Sequence, residues 1–169
     1  AFTQRFTAAG VPSRFGESGA KGRLRFGKPA GDAGPFMRWD YDDGRILLLV
    51  KETSYSYDPD TRQAISYENV TKNLSAAVSF LWGKGNLTGE FWVKIVVGSK
   101  FQKPNTKVIW LEPKQPTGSF KYLLFVVDVR TNMVVETHVY DHLGNKNQYT
   151  FSKPQTNTSP LDSLFKFTP

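Results

Sequence analysis

The sequence predicts a mainly β, α+β protein built on one large antiparallel sheet. In most segments apolar and polar residues alternate with a period of two, which is typical of strands with one buried face. Gly, Pro, Asn and Asp turns separate these segments. Strong helical periodicity occurs in one stretch, residues 71–82. About ten strands in one antiparallel sheet have to curl or close on themselves.

The first segments of the chain lead into a meander of strands. Residues 2–9 fit either the last turns of a helix or an entering strand, and residues 11–22 are rich in Gly and Ser, which favours a loop. The first meander strand is predicted over residues 21–26. It ends before Pro29, which has no N–H to donate to a ladder.

The next strands alternate clearly. Met37, Trp39 and Tyr41 share one face of the second strand and are the better candidates for the interior. A hairpin turn is predicted at residues 42–44 and another turn at residues 58–60, before a strand over residues 63–67. Residues 46–50 are apolar on both faces, so the pattern leaves open which parity points inward.

The best helix of the chain is predicted over residues 71–82. Val70, Leu74, Ala77, Val78 and Leu81 follow helical spacing, and Gly83 stands where a helix commonly ends. Phe80 and Trp82 widen its apolar face. Two interpretations stay open: simple packing on the sheet, or a lid over an apolar space.

Strands resume after this helix. The alternation within Met133–Asp141 predicts two faces. One face carries Met133, Val135, Thr137 and Val139, and the other carries Glu136 and His138. Near the C-terminal end, the sequence pattern predicts one short helical turn over residues 161–165, followed by a closing strand that contains Phe167. The other predicted strands cover residues 90–97, 106–112, 119–129 and 147–152.

Length and composition indicate a single domain, covering residues 1–169, that buries its own core. The chain has no cysteine, which excludes a disulfide scaffold and a cysteine zinc site. The net charge of +7 is spread without a long run of like charges, so a basic surface is favoured over a nucleic-acid footprint. No segment reaches the length of a transmembrane helix.

Catalytic patterns are absent from the sequence. No nucleophile, base and orienting group can be assembled, so we expect no enzyme activity, no cofactor and no metal site. Aromatic residues make up 14% of the chain and lie mostly in predicted strands. This content fits either a well-filled core or an apolar cavity under a helix.

The order of several short motifs resembles the LolA family, the periplasmic outer-membrane lipoprotein carriers. Single motifs are moderately specific, and their shared order over nearly the whole chain is much more so. The motifs run from Gly22-x-Leu-x-Phe-x-Lys28-Pro29 through Phe36-Met-Arg-Trp39-x-Tyr41, Tyr57-Asp58-Pro59, Phe80-Leu81-x-Gly83-x-Gly85-x-Leu87, Val127-Asp128 and Val139-x-Asp141-x-x-Gly144-Asn145-x-x-x-Tyr149-x-Phe151 to Phe165-x-Phe167-Thr168-Pro169.

The resemblance implies an incomplete, strongly curved antiparallel β-barrel, or half-barrel, with a helical lid over an apolar cavity. It implies a periplasmic carrier, without nucleotide or other cofactor, that shuttles lipoproteins from the inner to the outer membrane of a Gram-negative bacterium. The implied partners are acylated lipoproteins, an inner-membrane Lol ABC transporter and an outer-membrane acceptor lipoprotein. We expect a monomer that binds no nucleic acid and does not span a membrane.

The resemblance also implies roles for particular residues. Lys28 matches the basic residue of an Arg-Pro pair that latches the family's lid, but lysine lacks the guanidinium fork, so the latch is weaker or differently made. An ordinary strand-end lysine is the alternative. The implied lid residues are Leu74, Ala77, Val78, Leu81 and Trp82. The implied lining of the acyl-chain cavity comprises Leu24, Phe26, Met37, Trp39, Tyr41, Leu47, Leu49, Phe91, Val93, Met133 and Val135.

Two departures from the family are visible. Residues 50–53 replace a common Asp-Gly turn, and most of the usual N-terminal helix is missing, as expected if the numbering begins after a removed signal or trimmed segment. The alternative functions are a LolB-like acceptor, a lipid-binding or envelope-sensing protein of the same fold, and a plain β interaction domain.

Overall fold

A computed structural model describes residues 1–12, 17–27, 36–68, 87–156 and 158–166. Within these ranges it contains eleven strands, one four-residue α-helix and one 3-10 helix. The strands are β1 Phe2–Thr7, β2 Glu17–Gly27, β3 Phe36–Tyr41, β4 Ile46–Val50, β5 Thr53–Asp58, β6 Gln63–Tyr67, β7 Phe91–Val96, β8 Thr106–Pro113, β9 Tyr122–Asp128, β10 Val134–Tyr140 and β11 Lys146–Phe151; the helices are α1 Leu87–Glu90 and η1 Asp162–Phe165.

The described strands belong to one antiparallel sheet, so the mainly β prediction is confirmed. Their order is β6-β5-β4-β3-β2-β1-β11-β10-β9-β8-β7, which leaves β6 and β7 at its two ends. The predicted short turn near the C-terminus is present as η1. The predicted lid helix and the strand at Phe167 lie outside the described residues.

The chain divides into two compact units. The first contains most of β2, all of β3 to β6, and η1; the second contains β1, the start of β2, α1 and β7 to β11. The single-domain organisation stays a prediction.

In the described part of the chain, no helix combines the length and apolar character needed to cross a membrane.

The predicted loop over residues 11–22 is wrong for its second half, because β2 already begins at Glu17. Gly22 in this strand is a position where another backbone passes closely. A Cβ on Gly22 would stand 2.0 Å from the carbonyl oxygen of Asp40 on β3. Glycine therefore serves here to admit a neighbouring strand, not to form a turn.

The strand register of the first unit assigns both faces of β4. Residues directly opposite each other in an antiparallel pair share a face. Trp39 lies between Leu24 on β2 and Leu47 on β4, and Met37 lies between Phe26 and Leu49 in the same way. Leu47 and Leu49 therefore point to one face and Leu48 to the other, which settles the parity that the sequence left open.

The Leu48 face of the first unit packs against η1. Phe36, Leu48 and Phe165 form a buried cluster, in which the rings of Phe36 and Phe165 meet edge to face at 5.9 Å. Gly27 makes room for this contact, since a Cβ there would lie 2.3 Å from the Phe165 ring. Arg38 Nη1 donates a hydrogen bond of 2.9 Å to the carbonyl oxygen of Leu164. These contacts fix η1 to the sheet.

A carboxylate on β3 holds the arginine that fixes η1. Asp40 accepts a hydrogen bond of 2.7 Å from Arg38 Nε and pairs with Arg25 of β2. All three side chains lie on the same face as Leu48, and each is partly buried. The two guanidinium groups share one carboxylate, which restricts the rotamers that Arg38 can adopt.

The second unit has its own core between the sheet and the loop that follows β7. Val108, Leu124 and Val126 form a buried cluster on one face of β8 and β9. The ladder between β9 and β10 is regular except for a shift between Val134 and Glu136, where Val135 is the extra residue. Such a bulge breaks the alternation of faces at one position. The regular alternation predicted through Met133 and Val135 is therefore wrong at this point.

A polar group is buried beside this core. His138 is fully buried, and its Nε2 lies 2.7 Å from Oε1 of the buried Glu136. Glu136 also pairs with Lys103 and accepts a hydrogen bond of 2.9 Å from Gln148 Nε2. The Phe101 ring lies over His138 at 4.0 Å between centroids. The loop that carries Phe101 and Lys103 thus seals both polar side chains from water.

We expect Arg62→Gly to be more stable than Arg62→Ala by about 1 kcal/mol. Arg62 closes the turn before β6 with φ of 54°, a left-handed conformation that costs a residue with a Cβ. Both variants lose the same side chain beyond Cβ, and only glycine removes that cost. Urea unfolding measures the difference. At Thr61 of the same turn the same pair of substitutions should favour alanine; a glycine advantage at both positions would contradict this account.

We expect the free energy of unfolding to fall as the pH drops below about 6.5, the usual pKa of histidine. Burial lowers the pKa of His138, although the Glu136 carboxylate opposes this effect. The unfolded chain therefore takes up a proton before the folded one does. The loss begins near pH 6.5, continues down to the folded pKa, and amounts to at most about 1.4 kcal/mol per pH unit for one proton.

His138→Gln should flatten this pH dependence, as measured by urea unfolding at pH 7.5 and 5.5. The charged groups around His138 are Glu136, Lys103 and Lys146, and all three remain in the variant. His142→Gln is the control, because His142 is exposed. An unchanged slope in His138→Gln would show that another group carries the effect.

Candidate functional site

The predicted cavity residues of the first unit form one continuous apolar surface, here called the β2–β4 face. Strand register places all of them on the same side of the sheet. Along β2, β3 and β4 from residue 22 to residue 49 this side carries no charged side chain among the described residues. Its members are Leu24, Phe26, Met37, Trp39, Tyr41, Leu47 and Leu49.

Burial is graded across the β2–β4 face. Met37, Trp39 and Leu49 are buried, whereas Leu24, Tyr41 and Leu47 are partly exposed. Phe26 keeps 36% of its surface in contact with solvent. The face thus has a covered centre and a margin that an apolar ligand can reach.

Tyr41 marks the polar end of this face. Burial raises the pKa of its phenol, and the guanidinium of Arg45 lies 4.7 Å from the ring centroid. Arg45 is held by Asp43 through a hydrogen bond of 2.7 Å, and this bond lowers the pKa of the Asp43 carboxyl. The first charged groups therefore lie in the hairpin turn beyond Tyr41, outside the apolar row.

The four predicted cavity residues of the second unit do not share a face. Phe91 is buried and stacks on Phe120 at 6.3 Å, and Val93 lies on the same side of β7. Val135 packs against the cluster of Val108, Leu124 and Val126, which lies on the opposite side. Met133 is partly buried and precedes β10. The bulge at Val135 accounts for this separation.

The remaining predicted site residues lie outside the described ranges. They are the latch candidate Lys28 and the lid residues Leu74, Ala77, Val78, Leu81 and Trp82.

Sequence reasoning missed the buried pair of Glu136 and His138. Alternation placed both residues opposite the apolar set of β10, as expected for solvent-facing positions. No local pattern shows that a loop more than thirty residues upstream covers them. Within the described residues, no group of three His, Cys, Asp or Glu side chains is arranged to hold a metal ion.

The arrangement can bind apolar groups but offers no set of reacting side chains among the residues described. The β2–β4 face gains free energy by removing apolar surface from water, about 25 cal/mol per Å². Binding on such a face is non-directional, so it selects for apolar character more than for a particular shape.

Solved structures of similar fold share little sequence with this chain. The MucA/MucB complex of Pseudomonas aeruginosa contains a chain with 12% identity and a TM-score of 0.52, which covers 99% of this chain and 55% of that one. A putative outer membrane lipoprotein-sorting protein domain from Vibrio parahaemolyticus has 13% identity and a TM-score of 0.49, with 97% and 86% covered. A LolA superfamily protein from Nitrosomonas europaea has 11% identity and a TM-score of 0.41, with 98% and 88% covered.

The sequence comparisons give a family. No curated protein sequence is significantly similar to the chain. The family model described as outer membrane lipoprotein carrier protein LolA, in contrast, matches residues 2–168. The match spans nearly the whole chain, including the β2–β4 face. The chain therefore belongs to the LolA family.

Proposed function

We propose that this protein binds the acyl chains of lipoproteins and carries them between the inner and outer membranes. The observation that carries the proposal is the β2–β4 face, an uncharged apolar surface on three adjacent strands of a LolA-family chain. Its margin at Phe26 remains open to solvent.

The energetics of acyl chains support this use of the face. Each buried CH₂ contributes roughly 0.8 kcal/mol, so a lipoprotein with several chains leaves a membrane slowly without an apolar site to enter. A charged group on that site would have to lose its hydration when the chains arrive, at a cost of several kcal/mol. The absence of charge from the described part of the face avoids this cost.

The carrier role implies a location and partners, which are part of the proposal. The protein acts in the periplasm of a Gram-negative bacterium, receives cargo from an inner-membrane Lol ABC transporter and delivers it to an outer-membrane acceptor lipoprotein. It uses no cofactor and catalyses no reaction. Release follows when an acceptor binds the acyl chains more tightly than the carrier does.

A LolB-like acceptor and a lipid-binding or envelope-sensing protein remain the alternatives. MucB has a similar fold and is known in complex with MucA, so the fold also occurs in a protein that binds another protein. The present chain spans about half the length of MucB. The alternatives share the apolar site and differ in what delivers and removes the ligand.

We expect the delipidated protein to form a one-to-one complex with a triacylated lipopeptide and none with the unacylated peptide, as measured by native mass spectrometry. Trp39→Glu and Phe26→Glu should each weaken the complex by at least about tenfold, because each places a carboxylate against acyl chains. Phe26→Glu is the safer variant, since Phe26 is partly exposed and its replacement disturbs packing less.

Ser66→Glu is the matched control. Ser66 lies on β6 opposite Tyr55, on the side of the sheet that faces away from Trp39 and Phe26, and it is exposed. The substitution adds the same charge to the same unit and should leave lipopeptide binding unchanged. Equal binding of the acylated and unacylated peptides would contradict the proposal, as would equal weakening by Phe26→Glu and Ser66→Glu.

A further inference from the structure

Strand β7 is an edge strand in the described sheet. It stands last in the strand order and pairs with β8 alone among the described strands. An edge strand presents a row of backbone donors and acceptors that can pair with another chain. Natural edges are usually protected by charges, proline or a bulge. Over its six residues β7 has a regular register and carries one charge, Lys94.

The ladder shows which backbone groups of β7 point outward. Antiparallel pairs alternate between hydrogen-bonded and non-hydrogen-bonded pairs. The Lys114 N–H donates to the carbonyl oxygen of Glu90 at 2.9 Å, which makes Glu90 and Lys114 a hydrogen-bonded pair. Phe91 then falls in a non-hydrogen-bonded pair with Pro113, which has no N–H. The outward N–H and C=O groups are therefore those of Phe91, Val93 and Ile95.

The side chains of β7 are unusually exposed for apolar residues. Trp92 and Ile95 each keep 60% of their surface in solvent, and Val93 keeps 37%. Val93 and Ile95 lie on one side of the strand and Trp92 on the other. An added strand would cover apolar surface on both sides at once.

The two sides of β7 differ in charge. On the Trp92 side, Lys94 lies 5.0 Å from the Trp110 ring, and Lys114 lies 4.9 Å from the Trp92 ring itself. On the Val93 and Ile95 side, β7 carries apolar residues alone. Glu112 of β8 lies on the Trp92 side as well, directly opposite Trp92, so the charge of β7 itself comes from Lys94. Strand β7 therefore has one side with a lysine and an exposed tryptophan and another side that is apolar.

We propose that β7 accepts an extended segment of another protein as an additional antiparallel strand, with acidic residues on one side and apolar residues on the other. The outward groups of Val93 and Ile95 pair with the backbone of the segment, whereas Phe91 is buried. Its carboxylates meet Lys94 and Lys114, and its apolar side chains cover Val93 and Ile95. This docking site is independent of acyl-chain binding on the β2–β4 face.

Charge separates this occupant from a second copy of the same chain. Antiparallel pairing of two β7 strands places the Lys94 side chains of both copies on the same side of the joined sheet. Like charges on neighbouring strands oppose association. An acidic segment instead places carboxylates beside Lys94.

The probe is an acetylated and amidated eight-residue peptide of alternating glutamate and valine, and its counterpart replaces each glutamate by lysine. The full chain should bind the glutamate peptide at least about fivefold more tightly, as measured by fluorescence anisotropy of labelled peptides. Hydrogen exchange should slow at the amides of Val93 and Ile95 when the glutamate peptide is bound. Equal binding of both peptides, or no protection at these amides, would overturn the proposal.

Lys94→Glu should weaken binding of the glutamate peptide at least about fivefold. Arg5→Glu is the control, because Arg5 is exposed on β1, five strands from β7 in the sheet order, and its substitution changes the net charge equally. Equal weakening by both variants would show that the net charge of the protein, and not Lys94, determines peptide binding, and it would reject the site.

Val93→Pro tests the backbone part of the site. It removes one outward donor while leaving the bonds to β8 in place, so it should abolish binding in a protein that still unfolds cooperatively. Should this variant fail to fold, Lys94→Glu decides alone, since it alters an exposed side chain. Sedimentation that shows a dimer, lost in Val93→Pro, would assign the edge to a second copy and overturn the acidic segment.

Discussion

The pairing register of β2, β3 and β4 is the constraint on which the first unit depends. A shift of one residue between any two of these strands would exchange their faces. The apolar row of Leu24, Trp39 and Leu47 would then share a side with Arg25, Arg38 or Asp40. The register is specified because the two faces have different requirements: one carries apolar side chains without charge, and the other holds η1 through a shared carboxylate.

The C-terminal segment depends on the same register. Arg38 reaches the carbonyl of Leu164 because Asp40 orients it, and Phe165 reaches the sheet because Gly27 has no side chain. These residues come from β2, β3 and the end of the chain. The packing of the Leu48 face thus requires residues more than one hundred positions apart in sequence.

The local sequence pattern predicted the strands well where polar and apolar side chains alternate. It failed where contacts between backbones determine the strand boundaries or the register. The parity of β4 could not be derived from five consecutive apolar residues, because both faces of that strand carry apolar side chains. The start of β2 was missed because Gly19 and Gly22 resemble loop residues, although both lie within the strand and Gly22 sits where β3 passes closely. The grouping of Val135 with Phe91 failed because one extra residue in β10 leaves no mark in composition.

The same bulge gives β10 an unusual tolerance to a change in length. Glu136 and His138 keep their side of the sheet only while the spacing to the rest of β10 is preserved. Removal of Val135 would convert the irregular step into an ordinary ladder and leave those two side chains on their side. Removal of Thr137 would instead turn His138 to the other side, away from Phe101 and its partners. One position in this strand is therefore a place where the chain can shorten without exchanging its inner and outer surfaces.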